Sequence, residues 1–109
     1  MKTQNFVQLE LPLIPQKTEP LKQMEKAIQD MLDLTWNCVL AHITVRATKE
    51  LMRQQGKLVS LSDGEACIKV PSLPISRLAE DKLSDVEAAF KRAFGCSIKI
   101  RLVVGKSVS

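Results

Sequence analysis

Residues 57–70 read KLVSLSDGEACIKV. Apolar and polar residues alternate with a period of two in both halves, which is typical of β-strands that bury one face. The two halves, Lys57–Leu61 and Glu65–Val70, flank the turn residues Ser62-Asp63-Gly64. Asp-Gly between two such runs is a strong hairpin signal, because the tight hairpin turns need residues that tolerate positive φ. The stretch therefore predicts two antiparallel strands joined by a short turn.

A third strand is predicted near the end of the chain, where residues 97–104 alternate again. Helical spacing separates it from the hairpin, first in a short segment after the prolines and then in a helix that Gly95 ends. Ser84 and Glu87 have the spacing of a capping box, in which each side chain binds the other's backbone N–H. This indicates that the second of these helices begins near Ser84.

Two further helices are predicted ahead of the hairpin. Asp33 or Thr35 can cap the first, which carries Trp36, and the second covers about residues 46–55 with Gly56 as its C′ residue. The inward residues of the second helix are predicted to be Ala47, Leu51 and Met52. The order helix-helix-strand-strand-helix-strand predicts an α+β domain over residues 34–105, with a three-stranded sheet and helices on one face, of the KH-like kind.

The N-terminal third has a different character. Residues 1–20 hold three of the five prolines, a density that disfavours regular helix, so residues 1–19 are expected to form an extended tail. Residues 20–33 are predicted to form an amphipathic helix. Its apolar face carries Leu21, Met24, Ile28, Met31 and Leu32. The helix is expected to pack on the domain or to serve as a linker, and its apolar face is a candidate contact surface for another protein.

Composition and charge narrow the class of protein. The 109 residues are 45% hydrophobic and 26% charged, the balance of an ordinary globular domain. No apolar run approaches the roughly 20 residues that span a bilayer, and no signal segment follows the first residues, so a cytoplasmic protein is expected. The net charge of the chain is +4, but residues 1–34 hold four lysines and five acids and carry −1, so residues 35–109 carry +5.

Motifs for catalysis or cofactor binding are missing. Neither GxxxxGK[ST] nor GxGxxG occurs, and no nucleophile–base arrangement stands out, so neither an enzyme nor a cofactor is expected. Cys38, Cys67 and Cys96 lie 29 residues apart with one histidine in the whole chain. They cannot supply the paired ligands of a structural zinc site, and no metal is expected.

A basic stripe is predicted on the open face of the sheet. Lys69, Lys99 and Arg101 point away from the apolar face of their strands. Three cations on one face are candidate phosphate contacts for a nucleic acid. The alternative is a solvated face, since an open sheet face must be polar in any case. The domain has no GXXG loop, so its fold alone gives no reason to expect RNA binding.

The tail contains the hexapeptide QLELPL at residues 8–13. It resembles the bacterial sliding-clamp-binding peptide, whose general form is QLxLxF or QLxLxL. The resemblance implies that Gln8 hydrogen-bonds at the mouth of a groove while Leu9, Leu11 and Leu13 anchor in it. A proline before the last leucine restricts the peptide before binding. The alternative is an N-terminal edge strand that docks on the sheet, since VQLEL also alternates.

A longer pattern covers about residues 34–104. It includes Leu34-Thr35-Trp36, Gln54-Gln55-Gly56-Lys57-Leu58-Val59, Ala66-Cys67-Ile68-Lys69-Val70, Val86-Glu87-Ala88-Ala89-Phe90 and Ile98-Lys99-Ile100. In this order the segments resemble the region C-terminal to the ATPase core in the gamma/tau subunit of bacterial DNA polymerase III, especially its cyanobacterial form. Domain I of the initiator DnaA has a similar fold and also begins with a helical Trp.

The resemblance implies a non-enzymatic adaptor of DNA replication. The expected partners are the sliding clamp and polymerase or helicase components, with some weak contact to DNA. The chain lacks the ATPase module that precedes this region in the gamma/tau family. Two alternatives stay open: a small nucleic-acid-binding module that uses the basic sheet face, and a protein-interaction domain unrelated to replication.

Overall fold

The computed structural model describes the backbone of residues 13–105 and the side chains of residues 20–105. The elements follow in the order α1 (Leu13–Ala41), α2 (Arg46–Gln55), β1 (Lys57–Ser62), β2 (Glu65–Val70), α3 (Leu73–Glu80), α4 (Leu83–Phe94) and β3 (Lys99–Val104). The predicted α+β class and the three-stranded sheet are confirmed. The contacts divide the chain into two units, residues 1–30 and 31–109, and the second unit holds the sheet.

The helix α1 is continuous, which differs from the prediction in two places. Residues 13–19 were predicted to be extended, but their backbone is helical. Pro15 is the third residue of α1, where the N–H that proline lacks would have no acceptor within the helix. The predicted helix start at Asp33 or Thr35 is also wrong. The hydroxyl of Thr35 donates to the carbonyl of Met31 at 2.9 Å, a bond within the helix that replaces the predicted cap.

The sheet has the order β1-β2-β3 and is mixed, because β1 and β2 are antiparallel while β2 and β3 are parallel. Asp63 and Gly64 form the predicted turn and have φ of +52° and +75°. Positive φ at both turn residues matches the right-handed twist of the flanking strands. The β1–β2 register shifts between Leu58 and Ser60, so β1 carries an irregularity along the sheet edge.

The core lies between the helices and one face of the sheet. Phe90 of α4 is fully buried at its centre, and its ring centroid lies 6.4 Å from that of Trp36. The other members are Val39, Leu40, Ile43, Met52, Leu58, Ala66, Ile68, Ala79, Val86 and Ala89. Residues from the helices and from the sheet therefore meet in one cluster, and the opposite face of the sheet is the open one.

Two glycines end helices by different means. Gly95 has φ of +77° and ends α4 in the left-handed conformation, as predicted. Gly56 directly follows the end of α2, as predicted, but it has φ of −102° and is extended, unlike the left-handed Gly95. A Cβ at Gly56 would lie 3.0 Å from the carbonyl oxygen of Met52 and 3.3 Å from Cζ2 of Trp36. Close approach explains the glycine there.

Two polar side chains form hydrogen bonds that the sequence pattern does not predict. Thr48 is fully buried and donates to the Asp85 carboxylate at 2.7 Å, whereas Ala47, predicted to be inward, is exposed. The α4 helix begins at Leu83 with no side-chain cap, so the capping box does not form. The Glu87 carboxylate instead accepts from the backbone N–H of Ile100 at 3.3 Å and links α4 to β3.

Candidate interaction surfaces

The open face of the sheet brings the three predicted cations together. In the parallel register Lys99 lies opposite Glu65, Arg101 opposite Cys67, and Lys69 opposite Val103. Directly opposed residues share a face of the sheet, so all three cations are on the side away from the core. Lys99 and Arg101 are exposed, and Lys69 is half-buried.

A fourth cation that was not predicted lies on this face. Lys57 of β1 pairs with Lys69 in the antiparallel register, so the two side chains lie on the same side of the sheet. The alternation of residues 57–61 already indicates this position, because it places Lys57 and Leu58 on opposite faces of the strand. The basic stripe therefore crosses all three strands.

One carboxylate reduces the charge of the stripe. The Nε of Arg101 lies 3.6 Å from Oε1 of Glu65, with both side chains more than half exposed. Exposed pairs of this kind contribute at most about 1 kcal/mol to stability and are weakened by salt. Four cations against Glu65 leave an excess of positive charge on the face.

Lys69 is held partly by packing. The methylene groups of Lys69 pack against Gly105. A Cβ added to Gly105 would lie only 3.0 Å from Cδ of Lys69. The stem therefore lies along the backbone after β3, which accounts for its half-burial. Beside it is a shallow cleft of about 500 Å³ that Lys57, Gln54 and Gln55 also line.

The described part of this face has no aromatic side chain. Trp36 and Phe90 are in the core, and Phe94 is on α4. Sheets that read single-stranded nucleic acids stack bases on exposed aromatic rings. The face of this sheet therefore offers charge to a polyanion and no stacking platform among residues 20–105.

The predicted clamp peptide lies almost wholly outside the described residues. This applies to Gln8, Leu9 and Leu11, and to the tail over residues 1–12. Leu13, the last predicted anchor, is the first residue of α1. The hexapeptide would thus end where the helix begins.

A second surface is the apolar side of α1. Leu21, Met24, Ile28 and Met31 have 59%, 59%, 54% and 67% of their surface exposed. They were predicted to share a face, and they do so by their helical spacing. Large apolar residues grouped on one side of a helix mark an interaction site more often than scattered ones do.

A third surface lies on α3. The Ser72 hydroxyl accepts from the Ile75 N–H and fixes the start of this helix, and Ser76 and Ala79 turn inward. Leu73 and Leu78 are consequently exposed. With Arg77 they line a shallow groove of about 410 Å³.

The ionisable side chains of the described region are mostly surface groups. Arg53 donates to both carboxylate oxygens of Glu50 at 2.7 and 2.8 Å, and this hydrogen bonding lowers the pKa of the Glu50 carboxyl. Across residues 20–105, no cluster of three or more His, Cys, Asp or Glu side chains is placed to hold a metal ion. None of the helices in the described region has the length and apolarity needed to cross a membrane.

A family model described as "STICHEL, DnaA_N-like alpha-beta domain" matches residues 23–104. The chain belongs to this family. The match covers the C-terminal two thirds of α1 and every later element of the DnaA_N-like domain. Comparison with curated proteins gives no match.

Membership of this family supports the more general part of the resemblance found in the sequence, namely a DnaA-like domain related to replication. A DnaA_N-like domain points to a replication-related protein-interaction role. The family match does not extend to the gamma/tau subunit or to clamp binding. Those finer identifications remain proposals.

Proposed function

We propose that this DnaA_N-like chain is a non-enzymatic adaptor of DNA replication in the cytoplasm. The observation that carries the proposal is the family match over residues 23–104, which connects the domain with replication-related interaction modules. The order of its segments also resembles the C-terminal module of the DNA polymerase III gamma/tau subunit. Polymerase or helicase components are the partners this resemblance favours for the folded domain.

The domain offers surfaces suited to protein contact. The groove on α3 exposes Leu73 and Leu78 beside Arg77, an arrangement of apolar anchors with a charged rim. Interfaces commonly combine an apolar centre with a polar rim. This groove is our candidate for the docking site of the replication partner.

The N-terminal hexapeptide is our candidate for clamp binding. Its pattern supplies a polar residue, Gln8, and the apolar residues Leu9, Leu11 and Leu13. A short extended peptide with apolar anchors binds a preformed groove, and a proline in it reduces the entropy lost on ordering. The peptide and the domain would then tether the partner of the domain to the clamp.

Nucleic-acid binding is a second candidate function. Lys57, Lys69, Lys99 and Arg101 share the open face of the sheet, which supports contact with phosphates. The absence of aromatic rings on this face within residues 20–105 argues against base recognition. Binding of this kind would be weak, independent of sequence and steeply dependent on salt.

The two candidates are separated by titration of the full chain with a bacterial sliding clamp and, in parallel, with single-stranded DNA. Gln8→Ala and Leu9→Ala should affect only the first titration, and Arg101→Gln only the second. Gln4→Ala is the matched control for the peptide, because it removes a glutamine four residues before the motif.

A further inference from the structure

The outer edge of β3 carries backbone groups that the sheet does not use. Lys99 donates its backbone N–H to the carbonyl oxygen of Gly64 at 2.8 Å, and the parallel register continues unbroken along β3. Successive residues of a strand turn their N–H and C=O groups to opposite sides. The backbone groups of Ile100, Leu102 and Val104 therefore face away from β2. Within residues 20–105, nothing accepts a hydrogen bond from the N–H of Leu102 or Val104 at this edge.

The first outward N–H has a side chain in place of a strand partner. The Glu87 carboxylate of α4 accepts from the N–H of Ile100 at 3.3 Å. Its oxygen takes the position that a carbonyl oxygen of an added strand would take. Proteins cover sheet edges in this way because unpaired edge groups readily pair with another chain. Here only the start of the edge is covered by a residue of the described region, and the rest remains accessible.

The opposite edge of the sheet is less suited to pairing. The register of β1 shifts between Leu58 and Ser60, and such an irregularity bends an edge strand and interrupts its hydrogen-bonding pattern. In contrast, β3 pairs with β2 without a shift over Lys99–Val104. A further strand would consequently add to β3.

A cleft lies beside the start of β3. It has a volume of about 470 Å³, and α4 contributes Glu87 and Lys91 to its wall while the start of β3 contributes Lys99. An extended peptide that pairs with an exposed strand edge obtains affinity from backbone hydrogen bonds and specificity from its alternate side chains. The cleft gives such a peptide a second wall next to the strand.

The side chains of β3 define the chemistry of the peptide. Neighbouring strands place their side chains side by side on each face of a sheet. On the core face the neighbours would be the half-buried Ile100 and Leu102, and Val104, which is 48% exposed. On the open face they would be Lys99 and Arg101, which are both exposed. The complement of this strand is an extended peptide in which apolar and acidic residues alternate.

We propose that the β3 edge binds an extended acidic peptide of another protein by strand addition, in the groove between β3 and α4. The backbone groups of Leu102 and Val104 hold the peptide, and its acidic side chains meet Lys99 and Arg101. Glu87 competes with the peptide, because its carboxylate occupies one donor and repels acidic side chains. This activity goes beyond the adaptor function proposed above and uses neither the α3 groove nor the N-terminal hexapeptide.

Amide hydrogen exchange of the ¹⁵N-labelled full chain, followed by NMR, tests the proposal. The probe is a heptapeptide of alternating glutamate and valine. At about 1 mM peptide, a dissociation constant near 0.1 mM would slow exchange of the Leu102 and Val104 amides about tenfold. The amides of Arg101 and Val103 already face β2 and are the internal reference. A heptapeptide of alternating lysine and valine is the matched control and should give no protection.

Three variants test the mechanism. Glu87→Ala should tighten binding of the glutamate peptide about three- to tenfold, because it frees the Ile100 N–H and removes a like charge. Glu80→Ala removes an exposed carboxylate of α3 and should leave the affinity unchanged. Leu102→Pro removes an outward N–H that β2 does not use, and it should abolish binding. Thermal unfolding shows which variants fold, and the exchange measurement on the wild type does not depend on them.

Several results would overturn the proposal. One is unchanged exchange at Leu102 and Val104 with about 1 mM glutamate peptide. Protection confined to residues 73–78 would move the peptide to α3, and equal binding of the lysine peptide would exclude an acidic partner. Protection that increases with chain concentration in the absence of peptide would make a second copy the occupant. None of these results affects the clamp titration, so failure of strand addition and failure of the adaptor function are distinguishable.

Discussion

The indole Nε1 of Trp36 donates a hydrogen bond to the backbone carbonyl oxygen of Gly56 at 3.2 Å. The bond joins the end of α1 to the point where α2 leads into β1. It satisfies the one polar atom of a side chain that is otherwise buried in the core. The same close approach favours a residue without a Cβ at position 56.

The first prediction concerns Gly56→Ala. The added methyl group would meet the Met52 carbonyl oxygen and the Trp36 ring, so the variant should lose about 1–2 kcal/mol of unfolding free energy after the entropic gain of alanine is included. Urea unfolding followed by Trp36 fluorescence measures this. The emission of the folded state should shift, because the indole must move.

Gly64→Ala is the comparison variant. Gly64 has φ of +75° and no atom near its missing Cβ, so alanine there strains the turn without touching Trp36. Its folded-state emission should match the wild type. A Gly56→Ala protein with unchanged emission and unchanged stability would contradict the packing described for this glycine.

The second prediction concerns Thr48→Val. The hydroxyl of Thr48 is the buried donor to Asp85, and valine has nearly the same shape without the donor. Loss of this bond should reduce the unfolding free energy by about 1–3 kcal/mol, since it leaves the carboxylate without that partner. The measurement is the urea midpoint, compared with Thr44→Val at an exposed threonine. Equal stability of the two variants would show that the bond has no net effect.

The sheet could be predicted from the sequence because its signals are local. Alternation and the Asp63-Gly64 pair are visible within 14 residues, and the turn geometry follows from which residues accept positive φ. Lys69, Lys99 and Arg101 were predicted to share a face for the same reason. Lys57 obeys the same alternation and was overlooked.

The errors concern residues whose role depends on distant partners. The buried Thr48 hydroxyl donates a hydrogen bond to Asp85, 37 residues later, and nothing near Thr48 in the sequence shows this. Glu87 binds Ile100 of β3 instead of the start of its own helix. The Thr35 hydroxyl could cap the start of a helix or bond a carbonyl within one. It bonds the Met31 carbonyl, because α1 continues through this position.

The third prediction concerns the basic stripe. If the sheet face binds single-stranded DNA, binding should weaken with salt with a logarithmic slope of about −2 to −3, as expected for roughly four phosphate contacts. Arg101→Gln should weaken binding at low salt and make that slope shallower by roughly 0.7. Fluorescence anisotropy with a labelled oligonucleotide gives both quantities.

Lys22→Gln on the polar side of α1 is the control for net charge. It removes one cation that is distant in sequence from the basic stripe of the sheet. It should leave the affinity and the slope close to the wild-type values. Equal effects of Lys22→Gln and Arg101→Gln would show attraction to overall charge. Absence of binding at low salt would exclude the nucleic-acid function.

The most direct test of the adaptor function is the titration of a bacterial sliding clamp with the full chain. We expect saturable binding that Gln8→Ala and Leu9→Ala each weaken by about tenfold or more, the effect of losing one anchor worth about 1.4 kcal/mol. Gln4→Ala should bind as the wild type does. No binding at 100 μM chain, or binding that neither Gln8→Ala nor Leu9→Ala changes, would contradict the assignment of the N-terminal peptide to the clamp.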